Sequence, residues 1–232
     1  MEITYQSPSS KERAIEQNSI CKNCRSNQIP SKLSYEQEQI LNGLMLGDGC
    51  IVYPRKYGSN YPRLTITRQL EDKEYLFWQY NVFKEFYGTE PKYFKSYHNK
   101  AEKFYEGYSS RTKSGEIFKL IRQAWYDNNG KKIIPKNLKI TPLVLLIWFL
   151  DDGCIITKSE NNLIIKFATD GFSYDDVYFL KTHLNDSYQI NLNIYKNGNG
   201  FILKGSTIAA KMIISIIDPI FILCMNRKRT WT

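Results

Sequence analysis

The sequence predicts an α+β protein built from two related halves. Three observations carry this reading: a tetrapeptide repeated at long range, helical and extended segments that alternate in the same order after each copy, and a strongly basic charge balance. Asp48-Gly49-Cys50-Ile51 recurs letter for letter as Asp152-Gly153-Cys154-Ile155, 104 residues on (152 − 48). Tyr75 and Leu76 match Phe179 and Leu180 at the same offset. A repeat of that length is two fused copies of one α/β unit, not a solenoid of short repeats. The 232 residues are 42% hydrophobic and 24% charged, enough to bury a core. The formal net charge of +9 points to a polyanion, either nucleic acid or an anionic surface.

Residues 1–32 read as an N-terminal arm, polar and carrying Cys21-Lys22-Asn23-Cys24-Arg25. A single C-x-x-C lacks the second pair that a zinc ribbon needs, so zinc, the tail of a DNA-binding knuckle and an arm along a duplex all stand open. Cys50, Cys154 and Cys224 are expected inside the core. The first unit, residues 33–138, opens with Ser34 as an N-cap and Gln37 completing a capping box. Its helix runs through Ile40, Leu41, Leu44 and Met45 and stops at Gly47-Asp48-Gly49. Residues 63–68 alternate as a strand, with Leu64 and Ile66 behind Arg63, Thr65 and Thr67. Helical spacing follows over 71–87, then strands near 92–97 and 104–111 and a helix over 116–126. The second unit, residues 139–232, starts again: Thr141 caps, Pro142 takes the first helical position, and Leu143 to Leu150 is apolar all round, the mark of a fully buried helix. A helix over 175–184, strands near 191–196 and 201–204, and a helix over 208–217 complete it.

Several functions fall away. The N-terminus has no apolar run after a basic start, so no secretory signal is read, and neither long apolar stretch would span a bilayer. The odd cysteine count suggests reduced thiols and an intracellular setting. No Walker loop or G-x-G-x-x-G is present. Only two histidines occur, far apart, which excludes chemistry based on clustered His.

The carboxylates are the informative feature. A helix C-terminus carries partial negative charge and disfavours acids, yet an Asp ends a helix at matching points of both halves. If the two helices pack side by side, Asp48 and Asp152 meet at their tips. Oxygen ligands alone select hard divalent cations, and beside a basic surface the matching chemistry is metal-assisted phosphodiester hydrolysis.

Leu41 to Gly49 resembles the LAGLIDADG motif at Leu41, Gly43, Leu44, Asp48 and Gly49. Leu145 to Gly153 looks like a degenerate second copy at Leu145, Asp152 and Gly153. Over residues 33–232 the chain is similar to single-chain, double-motif homing endonucleases. The resemblance implies two pseudo-symmetric αββαββα units forming a DNA-binding saddle, with the motif helices at the interface. It implies Asp48 and Asp152 as metal ligands and catalytic acids, with the carbonyls of Gly47 and Asp151 assisting. It implies an intron-encoded, Mg²⁺-dependent endonuclease, with Mn²⁺ able to substitute and Ca²⁺ supporting binding without cleavage. Ile147 departs from the motif, standing where the family has a helix-packing glycine. Lys132 and Lys228 resemble the basic residues set near the scissile phosphate, where an ammonium stabilises developing charge. Gln69 is a polar neighbour of the site.

Arg63, Thr65 and Thr67 form the expected base-reading face. Arg55, Lys56, Arg68, Lys95, Arg111 and Lys113 join them, with Lys158, Lys166, Lys196 and Lys204 in the second half. The expected partner is double-stranded DNA, read by a monomer without a membrane, in an organelle or in bacterial or phage cytoplasm. Intron RNA, bound by a maturase on the same fold, is the alternative partner, and a non-cleaving DNA-binding regulator is the third reading.

Overall fold

The computed structural model describes residues 29–54, 60–99, 102–159 and 162–231. The Cys21–Cys24 pair, most of the arm, and Arg55 and Lys56 lie outside the described residues. In chain order the first half holds α1 (Tyr35–Leu46), β1 (Cys50–Val52), β2 (Arg63–Gln69), α2 (Lys73–Val82), β3 (Lys92–His98), β4 (Lys103–Arg111) and α3 (Glu116–Trp125). The second holds α4 (Pro142–Asp152), β5 (Gly153–Ser159), β6 (Asn162–Phe167), α5 (Tyr174–Tyr188), β7 (Leu192–Asn197), β8 (Gly200–Gly205) and α6 (Thr207–Ile217). Two antiparallel four-stranded sheets result, in the matching orders β1-β2-β4-β3 and β5-β6-β8-β7. The repeat read from the tetrapeptide is therefore a repeat of topology.

Local chemistry sets the helix starts. The Ser34 hydroxyl accepts from the Gln37 N–H at 3.1 Å, and the Gln37 side chain accepts from the Ser34 N–H at 2.9 Å, closing the expected capping box. The Gln37 amide also donates to the Val82 carbonyl at 2.8 Å, tying the start of α1 to the end of α2. On α4, Thr141 accepts from the Val144 N–H at 3.3 Å and Pro142 needs no donor there. Every residue from Val144 to Leu150 is buried, as an all-apolar helix requires.

The motif helices α1 and α4 pack against each other at the centre of one continuous core. Ile147 sits directly on Gly43, where an added Cβ would lie 2.5 Å from the Ile147 Cβ. The missing glycine on α4 is thus answered by the one on α1: a single bare backbone position is enough to seat one branched side chain.

Three expectations change. The helical spacing over 71–87 is not one helix: α2 ends at Val82, Phe83 leaves helical geometry, and a 3-10 turn covers Lys84–Phe86. Phe83 and Phe86 remain buried across the break, so the apolar spacing reported the buried face and not the hydrogen bonding. Strands β1, β5 and β6 were not resolved by pattern, because β1 is only three residues long and β6 carries Ile164 on its otherwise polar face. The three described cysteines are not in the core. Cys50 is half-buried, and Cys154 and Cys224 are exposed. Ile51 and Ile155 take the inward positions, and strand alternation turns their Cys neighbours outward.

Gly43→Ala should cost about 1–3 kcal/mol by overpacking. Combined with Ile147→Gly, which moves the bare position to the other helix, it should be less destabilising than the sum of the two single changes. Urea denaturation of the four chains in a double-mutant cycle checks this.

Candidate active site

The ends of α1 and α4 meet. At the tip of α1 the Gly47 N–H bonds the Gly43 and Leu44 carbonyls at 3.1 Å, and the Gly49 N–H bonds Leu44 at 2.8 Å. Gly47 lies hard against Asp151, whose Cβ would be 2.3 Å from an added Cβ, so only glycine allows this approach. Asp48 points outward, its side chain 52% exposed, whereas the Asp151 side chain is 0% exposed. The Asp48 backbone N–H donates to Asp151 Oδ2 at 3.1 Å.

Arg68 completes the junction. Its side chain is 4% exposed; one guanidinium nitrogen bonds Asp48 and the other bonds Asp151 Oδ1 at 2.7 Å. The guanidinium lies over the Tyr75 ring at 5.0 Å, and the Tyr75 hydroxyl donates to Asp151 at 3.4 Å. Burial works to discharge Arg68, but Asp151, Tyr75 and Asp48 outweigh it and raise its pKa. Arg68 was expected in the DNA-reading set. It instead shares the inward parity of Leu64 and Ile66 and is buried among acids.

Asp152 differs from both other acids. Among the described residues no group donates a hydrogen bond to its carboxylate. Burial, then the nearby charges of Asp48 and Asp151, push its pKa up to about 7, against the opposing pull of Lys132 and Lys228. These two lysines stand at equivalent places. Lys132 Nζ donates to the carbonyls of Gly47 and Gly49 at 3.0 and 2.9 Å, and Lys228 Nζ to those of Asp151 and Gly153 at 3.4 and 3.0 Å. Burial lowers both lysine pKa values. The two carbonyls expected to hold metal thus already carry ammonium groups. Among the described residues no three His, Cys, Asp or Glu side chains group to hold a metal unaided. The carboxylates of Asp48 and Asp152 are hard oxygen donors, which fit a divalent cation completed by water and phosphate. Arg227, beside Lys228, bonds Asp72 of the first half, with its Nε at 2.7 Å, a second strut between the halves.

Sheet register sorts the other predicted residues. Arg63, Thr65, Thr67 and Gln69 share one face of β2, and Arg111, paired with Thr65, stands beside them. Lys166 and Lys204, paired to each other, occupy the equivalent face of the second sheet. Lys158 is exposed where the β5–β6 register shifts. Lys95 and Lys196 fall on the opposite parity, Lys95 in an ion pair with Glu106 at 2.6 Å and Lys196 opposite Phe201. They lie on the other face from Thr65 and Lys204, apart from the set with which they were grouped. Lys113 lies past the end of β4, alongside Gly88. The same registers add residues on these two faces that the composition did not single out: Lys92 opposite Ser109, Lys103 with Tyr105 beneath its ammonium, and Tyr195 beneath Lys204. The signal that could have found them is parity, counted outward from Thr67 across the register. Thr65 Oγ1 and Arg63 Nε are buried on this face without hydrogen-bond partners.

Residues 38–212 match the LAGLIDADG DNA endonuclease family. The chain belongs to this family. It is 29% identical over 201 residues to the cytochrome b mRNA maturase bI2 of Saccharomyces cerevisiae, covering 82% of this chain and 46% of that one. It is 27% identical over 201 residues to a Wickerhamomyces canadensis protein named Probable intron-encoded endonuclease 1, covering 84% of each. The chain spans about half the length of the first curated relatives it matches. Its fold superposes on the homing endonuclease I-WcaI, solved bound to its DNA recognition sequence, with a TM-score of 0.80 at 23% identity, covering 96% of this chain and 99% of that one. That likeness bears on the fold, and two LAGLIDADG halves with motif helices at their interface are what the sequence implied. Among the described residues no helix is long and apolar enough to cross a membrane.

The pKa of Asp152 gives the LAGLIDADG chain a pH signature. A carboxyl whose folded pKa is raised to about 7 binds its proton more tightly than the unfolded chain does, whose value is about 3.9. Its contribution to stability is therefore greatest at low pH and falls as pH rises from about 4 towards 7. Asp152→Asn should melt higher than the parent at pH 8 in a chelating buffer, by on the order of 1 kcal/mol or more, and the difference should shrink towards pH 4. Melting curves across that range check the sign.

Proposed function

We propose that the chain is a site-specific double-strand DNA endonuclease, with units 33–138 and 139–232 each supplying one acid. The observation that carries this reading is the meeting of two acid-bearing helix tips, each flanked by a half-buried lysine, beside a two-sheet face lined with Arg63, Arg111, Lys166 and Lys204. Asp48 and Asp152 would hold a divalent cation, Mg²⁺ or Mn²⁺, whose contribution is to polarise phosphate oxygens and lower the pKa of water. Lys132 and Lys228 order the carbonyls behind the two acids and set positive charge where the phosphate charge develops. Burial lowers the pKa of both ammonium groups. The two faces differ in sequence, so the target is long and not palindromic, on the order of 18 base pairs at roughly 3.4 Å each. One chain supplies both halves, so it acts as a monomer, in an intracellular compartment that holds DNA.

A second reading, an intron RNA maturase, has a specific support in the likeness to the bI2 maturase over most of this chain. Selection of cleaved duplexes from a randomised library with Mg²⁺ tests the first reading. Binding to intron RNA with no cut duplex recovered favours the second.

Asp48→Asn and Asp152→Asn should each abolish double-strand cleavage and leave DNA affinity within a few-fold, measured by gel shift in Ca²⁺. Affinity should fall with salt at a log–log slope of about −0.9 per phosphate neutralised. A flat salt response, or a short palindromic footprint, would count against the groove.

A further inference from the structure

The junction at the helix tips is one-sided. The register that pairs Cys50 with Thr65 pairs Cys154 with Lys166, so Arg68 corresponds to Thr169, each three residues further on. Thr169 is buried and uncharged, its hydroxyl donating to the Phe201 carbonyl at 2.7 Å. Tyr75, beneath the guanidinium, corresponds to Phe179, which has no hydroxyl, and Asp151 corresponds to Gly47. All three members of the clamp are therefore absent from the mirror position. On the clamp side a polar cavity of about 250 Å³ opens, lined by Asp48, Arg68, Gln69, Arg227 and Lys228 among others.

We propose that Arg68 is a positioning residue that makes the two acids unequal: it occupies one oxygen of Asp48, leaving Asp48 the weaker cation ligand and Asp152 the one that binds first. The inference rests on the endonuclease reading. A guanidinium nitrogen in hydrogen-bond contact with a carboxylate competes with a cation for the same charge and the same lone pairs. Its other arm is held by the fully buried Asp151, so the guanidinium cannot swing away without leaving that carboxylate unpaired, a costly state. Among the described residues Asp152 has no such competitor. Asp151 is then the anchor of the clamp and not a cation ligand, which accounts for an acid beside Asp152 where the first half has glycine.

The test is Mn²⁺ binding to the full chain, read from the electron paramagnetic resonance of free Mn²⁺ and so independent of cleavage. Asp48→Asn leaves the Asp152 site, and Asp152→Asn leaves the Asp48 site. The first variant should bind Mn²⁺ about tenfold more tightly than the second, the ratio expected when one charged hydrogen bond must be displaced. Arg68→Met with Asp151→Asn removes both buried charges and keeps an acceptor for the Asp48 N–H. Added to Asp152→Asn, it should tighten the remaining Asp48 site about tenfold, and added to Asp48→Asn it should change affinity little. Equal affinities of the two single variants overturn the proposal whatever the combined variants do, since that comparison leaves Arg68 intact. Saturable binding that is unchanged by removal of Arg68 also overturns it and leaves the endonuclease reading standing. Absence of any saturable Mn²⁺ binding overturns both.

Discussion

The close approach of α1 and α4 is the constraint on which the rest of the molecule depends. Two helices can approach this closely only where one offers bare backbone to the other, and this pair does so twice, at Gly43 beneath Ile147 and at Gly47 beneath Asp151. The first contact seats an apolar branch in the core; the second brings an acid to the tip of the neighbouring helix. Because the strands that follow start directly from these tips, the helix contact also fixes how the two sheets stand beside one another. A shift of one turn along the helix would separate Asp48 from Asp152 by about 5.4 Å more.

That approach creates an electrostatic problem at once. Three carboxylates and two sets of helix-end carbonyls gather in a partly desolvated place. The protein answers with three cations of different reach. Lys132 and Lys228 take the carbonyls, one per half. Arg68, planar and forked, takes two carboxylates from two halves at once, which a lysine could not do with the same geometry. Among the described residues Asp152 is the acid that receives no hydrogen bond, and burial, then the charges of Asp48 and Asp151, raise its pKa.

The outward face of each sheet follows by parity. Once Leu64 and Ile66 point into the core, Arg63, Thr65 and Thr67 must point away from it, and the register carries that choice across to Arg111, Ser109 and Lys92. The same rule excludes Lys95 and Lys196. Charge alone does not assign a residue to a binding face.

The sequence by itself determined the duplication, the two helix ends with their acids, the capping of α1 and α4, and the set on β2 that faces away from the core. These are local matters of spacing, capping chemistry and alternation, and a 104-residue echo of four letters was enough to pair them. What only the tertiary structure decided is which neighbour each side chain meets across the interface. Arg68 sits at a position whose parity was legible, yet a charged residue on an apolar face makes sense only when Asp48 and Asp151 are there to receive it. The motif resemblance gives Asp151 a role only through its carbonyl; its carboxylate finds Arg68 and the Asp48 N–H only in the fold. Cys50 and Cys154 lie outward because adjacent isoleucines take the core. Spacing along the chain sets which way a side chain points; what it finds there is set by packing between segments far apart in sequence.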